Sequence, residues 1–331
     1  MTTIAMEELS AEAITIEERS PFQIVMMRFR RHRLAMISLG VMIFIFLITI
    51  LAPLIASFEV QELSVGKYFV PFGTVDEATG RIHYLGTDHI GRDYFSRLIY
   101  AGRISLSVAL LSVIISETIG IIVGSVSGFF GGWLDALLMR IVEFMLTIPT
   151  LPLLLIISSM LLRNEEAIPI PDSVLNFVGK IMLLGPRDAR NAVLIVLILA
   201  GLGWLASAQL MRGVVLSLRE QTFVEAARAL GVSNFRIIVR HMIPNAMAPI
   251  IVDASLGLAG YVVAEAALAF LGFGIQDPVP TWGNMLAATQ AYMLERPWLP
   301  LVPGLPIFIC SLAFNYIGDG LRDALDPRLK M

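Results

Sequence analysis

Between Ala192 and Met211 the chain carries no charged residue at all. A helix rises about 1.5 Å per residue, so a run of this length crosses the roughly 30 Å of hydrocarbon in a bilayer. Five further apolar runs are comparable: Ala35 to Phe58, Ile104 to Phe129, Leu137 to Leu161, Ala246 to Leu271 and Leu299 to Ile317. The composition is 56% hydrophobic and only 15% charged, and the excess lies in continuous runs rather than alternating stripes. A water-soluble core cannot absorb that surface, so the pattern predicts an all-α polytopic membrane protein with six transmembrane helices. The organisation follows: a tail over 1–34, a first helix over 35–58, an external segment over 59–103, a five-helix core over 104–321 and a tail over 322–331. Basic residues cluster in one juxtamembrane patch only, which argues against a nucleic-acid partner.

Arginine sets the expected orientation. Arg28, Arg30, Arg31 and Arg33 crowd the start of the first run, placing the N-terminus in the cytoplasm. Six crossings return Arg322, Arg328 and Lys330 to that side, and the 212–245 loop, with Arg212, Arg219, Arg228, Arg236 and Arg240, falls there too. The segment from Phe58 to Arg103 is assigned outside despite five basic residues, because its own acids offset them and long loops are weak topology signals. The acidic stretch 1–20 reads as a surface tail, and no small-x-small site near Phe58 marks a cleaved leader. In the outer loop from Arg163 to Arg190, Val174 to Leu184 fits a surface helix or a strand.

Gly120, Gly124 and Gly128 recur on one face of the second run. Small residues there allow close helix approach, which lipid does not otherwise drive; ordinary glycine enrichment is the simpler account. Cys310 is alone and lies in an apolar run. No phosphate-binding loop is present, and His32, His83, His89 and His241 are scattered, so the chain offers no metal ligand set, no catalytic group and no cofactor site of its own.

One polar stretch between spans stands apart, from Glu220 through Gly231 to Pro244. Glu220 to Leu230 favours helix, Gly231 permits a left-handed stop, and Ser233 can cap a second short helix over Asn234 to Met242 that Pro244 ends. Two short helices at an angle would make a stiff knob for a soluble partner; an amphipathic connector resting on lipid is the alternative.

Glu225, Ala226, Ala227 and Gly231, with Pro244 closing the stretch, resemble the EAA loop of ABC importer permeases. Leu85-Gly86-Thr87-Asp88-His89-Ile90-Gly91-Arg92-Asp93 with Arg97, Gly318 to Arg328, Phe270-Leu271-Gly272 and Pro280 to Met285 are similar to the second permease subunit of the dipeptide, oligopeptide and nickel importers. The resemblance covers about Arg28 to Leu329. It implies the ABC importer permease fold in the cell inner membrane and a non-enzymatic role. The implied partners are a homologous second permease, an extracytoplasmic substrate-binding protein and two cytoplasmic ATP-binding subunits that use ATP and Mg. It also implies ATPase coupling through Glu225, Ala226, Ala227, Gly231, Arg236, His241 and Pro244. His241, Glu117 and the long 163–190 segment depart from the usual pattern, which bears on the cargo: peptides first, then nickel chelates or oligosaccharides.

Glu117, Glu143, Asp253 and Glu265 fall at membrane depth, where an ionised carboxylate needs a partner or water. Glu117 and Asp253 fit a translocation path, Glu143 and Glu265 a structural role. An ion-coupled carrier using Glu117 or Asp253 is the competing class. Asp88 and Arg92, four apart, are expected to pair on an outer helix; with Asp93 and Arg97 they are candidates for organising the external face or docking a binding protein. Trp282 suits an interfacial anchor.

Overall fold

The computed structural model describes residues 20–164, 166 and 168–326, so the acidic stretch 1–19 and the terminal Arg328 and Lys330 lie outside it. Helix α1 (Pro21–Arg31) opens with a capping box in which Ser20 and Gln23 satisfy each other's backbone amides. At His32 the backbone turns extended, and the ring Nδ1 accepts from the Ala35 amide to start α2 (Arg33–Ile50). This first span stops at Leu51, short of the expected Phe58. Pro53 lies in the brief α3 (Ala52–Ile55) that follows, where it cannot supply the amide that α2 would need to continue.

The segment beyond carries a two-stranded antiparallel hairpin, β1 (Thr74–Val75) and β2 (Ile82–His83). Asp93 then caps α4 (Tyr94–Phe130) by accepting from the Ser96 amide at 2.7 Å. That helix starts ten residues before its apolar run and ends at Gly131, whose φ of 64° a side chain would strain. Helix α8 (Pro186–Leu218) is its principal partner. Gly120, Gly124 and Gly128 are buried against it. A Cβ at Gly124 would stand 2.4 Å from the Ala208 carbonyl oxygen, so the close-approach reading of these glycines holds.

The third apolar run is not one rod. Helices α5 (Gly132–Thr147) and α6 (Thr150–Arg163) meet at a 92° bend around Ile148 and Pro149. The two ends of the pair lie at opposite ends of α8. Asp135 binds Arg212 near its last turns, while Leu161 and Leu162 pack in the cluster that holds Val193 and Leu194. Among the described residues five helices, one of them the continuous stretch Asn234–Phe270, are long and apolar enough to cross a bilayer, and the bent pair is the remaining candidate. Helix α7 (Asp172–Met182) resolves the open choice at Val174 to Leu184. It buries Leu175, Val178 and Met182 against the start of α8, a helical spacing that a strand would not give.

Helices α9 (Thr222–Ala229) and α10 (Asn234–Ile237) follow, then a π turn over Ile238–Met242 and α11 (Ile243–Phe270). The short α12 (Trp282–Ala288) follows, and α13 (Leu301–Leu325) ends the described chain. Trp282 is not an interfacial anchor. It is buried over Gly102, its indole N–H donating to the Leu98 carbonyl at 3.2 Å. Phe29 of α1 packs with Ala35 and Ala324, which ties the start of α2 to the end of α13.

Candidate coupling loop and polar cavity

The α9 helix ends in a complete Schellman motif. The Val232 amide bonds to the Ala227 carbonyl and the Gly231 amide to that of Arg228, with Gly231 at φ 74°. Nothing lies within 4 Å of the Cβ position of Gly231, so backbone conformation alone demands glycine there. Beneath the loop, Val224, Ala227, Ile237 and Met242 are buried in a cluster with Phe129, Met211 and Val215. Arg228 lies over the Phe129 ring, 5.2 Å from its centroid. The loop is thus fixed to the ends of α4 and α8. It presents Glu225, Ala226, Arg236 and Pro244 to the outside, with Leu230 83% and Phe235 76% exposed between them; His241 is half-buried.

The second helix of the loop does not stop at Pro244. Ser233 occupies the N-cap position, though without a side-chain bond, and α10, the π turn and α11 run on as one helical rod from Asn234 to Phe270. In the wide turn the Ile243 amide reaches back five residues to Ile238, and Pro244, which has no amide hydrogen, follows directly. A proline that would break a regular helix is absorbed where the ladder already changes register.

That rod carries Asp253. Its Oδ2 accepts from Ser207 Oγ of α8 at 2.7 Å. Glu117, Thr150 at the bend, Ser207, Asp253 and Tyr261 line a common cavity of about 260 Å³. The Glu117 Oε2 atom is buried there without a hydrogen-bond partner. Asp253 also borders a second opening of about 560 Å³ with Leu210, Pro249, Leu256 and Arg322. The two carboxylates proposed from sequence are therefore neighbours. Ser207 and Tyr261, which complete the setting, gave no sequence signal because an isolated hydroxyl in an apolar run has many ordinary uses. Glu265 is fully buried and accepts from Ser105 Oγ at 3.0 Å, joining α4 to α11, while Glu143 is exposed on α5.

Asp88 and Arg92 pair at 2.6 Å, but in a turn rather than on a helix, because Asp88 also accepts from the Ile90 and Arg92 amides. All four of these candidates (Asp88, Arg92, Asp93 and Arg97) are buried, Arg97 to 2% exposure. Their side chains hold neighbouring segments together. Arg92 and Arg97 both donate to Asp277 of the loop before α12, each with a contact at 2.7 Å, and Asp93 meets the buried His83 at 2.8 Å. Burial pushes the Asp277 carboxyl up, yet the two guanidinium groups outweigh it and hold it below the usual carboxylate range. Asp76 is held down to about 2, chiefly by the Ala78 amide and also by Lys67. Asp277 was invisible from sequence, since nothing local links it to arginines so far upstream. Among the described residues no group of three or more His, Cys, Asp or Glu side chains could hold a metal.

Residues 120–331 match the family described as the binding-protein-dependent transport system inner membrane component. Residues 20–69 match the N-terminal transmembrane domain of oligopeptide transport permease C. The chain is 35% identical over 311 residues to the dipeptide transport system permease protein DppC of Alkalihalophilus pseudofirmus, covering 94% of this chain and 91% of that one. It is 34% identical to the oligopeptide transport system permease protein OppC of Mycobacterium bovis, covering 92% and 94% of the two chains. To the OppC protein of Bacillus subtilis it is 31% identical, over 97% of this chain and 94% of the relative.

Proposed function

This chain belongs to the family of binding-protein-dependent transport system inner membrane components and is a permease subunit of an ABC importer, and we propose that its cargo is a di- or oligopeptide. The names of its relatives support that cargo. The chain sits in the cell inner membrane with six spans, the bent α5–α6 pair counting as one, and with both termini cytoplasmic. The arginines flanking α2 and in the 212–245 loop support this orientation. It works beside a homologous second permease, two cytoplasmic subunits that bind and hydrolyse ATP with Mg, and an extracytoplasmic binding protein. The chain itself performs no chemistry.

One observation carries the mechanism: the exposed knob formed by Glu225, Ala226, Leu230 and Phe235 leads directly into the rod that bears Asp253. Closure of the ATPase pair moves the knob, and a stiff helix delivers the displacement to the cavity instead of dissipating it in a flexible linker. Glu117 and Asp253 belong to the path, because carboxylates at this depth face protein or water rather than hydrocarbon. The opening at Asp253 lies on the knob side, as expected of a permease resting open to the cytoplasm. Outside, the exposed Val65, Tyr68, Phe72 and Leu294 form the binding-protein contact on the framework that Asp88, Arg92, Asp93 and Arg97 hold.

The test is ATP-driven uptake of a labelled dipeptide by the assembled transporter in proteoliposomes. Leu230→Glu with Phe235→Glu is expected to abolish uptake while the chain still inserts and assembles with the second permease. Uptake at the wild-type rate, or uptake driven by a proton gradient without ATP, would overturn the reading.

A further inference from the structure

Helix α1 has a face that the rest of the described chain leaves open. Its buried side is used: Phe29 packs with Ala35 and Ala324, and the Arg28 guanidinium donates to the Asp326 carbonyl at 2.7 Å. The opposite side exposes Gln23, Met26, Arg30 and Arg31, and together with Met27 these line a groove of about 440 Å³. Arg33 and Leu34, also exposed, continue the face across the turn at His32 into the first span.

Three properties of this face agree on one occupant. Helix α1 contains three arginines and no acid, so the surface is cationic. One residue separates it from α2, which fixes its depth at the end of a membrane-crossing helix, where phosphate groups lie. The groove also places the exposed Met26 thioether beside two guanidinium groups, an apolar floor with a charged rim. An acyl chain beneath a phosphate has that same sequence of properties, and guanidinium forks bind phosphate oxygens in pairs. We infer that the α1 groove is a binding site for an anionic phospholipid, with Arg30 and Arg31 on its headgroup phosphate and Met26 along the start of its acyl chain. Such a lipid would brace the junction of α1, α2 and the end of α13.

The experiment uses the full chain assembled with its partner subunits, delipidated in detergent and titrated with phosphatidylglycerol or phosphatidylcholine under native mass spectrometry. Wild type is expected to retain phosphatidylglycerol in preference to phosphatidylcholine. Arg30→Gln with Arg31→Gln should weaken retention about thirtyfold, roughly 2 kcal/mol at about 1.4 kcal/mol per tenfold. Arg187→Gln, at an exposed site at the other end of the molecule, should leave it unchanged. Both changed arginines are exposed, so assembly is expected to survive and is verified in the same spectra. Equal retention by wild type and the double variant overturns the proposal, as does equal retention of the two lipids. Phosphatidylglycerol retention that appears only after deletion of residues 1–19 overturns it as well, since the occupant would then be the chain's own acidic tail.

Discussion

Phe235 and Asp253 stand on one helical rod, the first exposed at the tip of the 212–245 loop and the second hydrogen-bonded to Ser207 of α8. At about 1.5 Å per residue the rod separates them by roughly 27 Å, most of a bilayer's hydrocarbon thickness. Between loop and cavity the rod has no interruption other than the π turn at Ile238–Met242, the continuity that the proposed coupling requires.

Gly231 tests the stiffness of the knob. Its φ of 74° disfavours any side chain by about 1–2 kcal/mol, and β-branched residues most, while asparagine tolerates the region. Gly231→Asn should keep most ATP-coupled uptake and Gly231→Val should lose it with insertion intact. The ratio of transport to ATP hydrolysis is the measurement, and equal ratios in the two variants would remove the glycine argument.

Asp253→Asn keeps the Ser207 hydrogen bond but removes the charge, whereas Ser207→Ala keeps the charge and removes the bond. If the carboxylate belongs to the path, the first change should cut uptake at least tenfold and the second only a few-fold. Initial uptake rates with the assembled transporter decide between them. The opposite order would assign Asp253 to helix packing.

Gly124 lies against α8, where a Cβ would sit 2.4 Å from the Ala208 carbonyl oxygen. Gly124→Val forces α4 and α8 apart, and overpacking of this kind costs about 1–3 kcal/mol. A lower thermal midpoint for the purified transporter is expected. Gly201→Val, at an open position on the same α8, should change it little.

The segment between α3 and α4 should respond to acid through Asp76. Its carboxyl is held at about 2, against an ordinary 3.8, first by the Ala78 amide and then by Lys67 and Thr79. A depressed folded value means that its stabilisation is complete above about pH 4 and fades as pH falls through 2. Protease resistance of this segment between pH 4 and pH 2 should decline in wild type. In Asp76→Asn, already weaker at pH 7, it should vary less with pH.

Some of this could be read along the chain and some could not, and particular residues show why. The left-handed stop at Gly231 and the α4 glycine face are local, set by φ and by helical period, so sequence spacing reveals them. Pro244 misled because the same residue ends a regular helix yet is tolerated beside a π turn, and only the packed cluster around Met242 selects between these. Asp88 and Arg92 were paired correctly, but their burial depends on Asp277, which arrives from the other end of the core.

The sequence by itself determined that this is a helical membrane protein of an importer permease family with a stiff polar loop. Hydropathy runs, glycine positions and motif order are properties of neighbours along the chain. Tertiary structure alone decided that the third run bends by 92°, that Phe235 of the polar loop and Asp253 share one rod, that Glu117 and Asp253 face one cavity, and that Arg92 and Arg97 are buried. Each of those depends on distant segments competing for the same space, and the energy of that competition is not written in any local window.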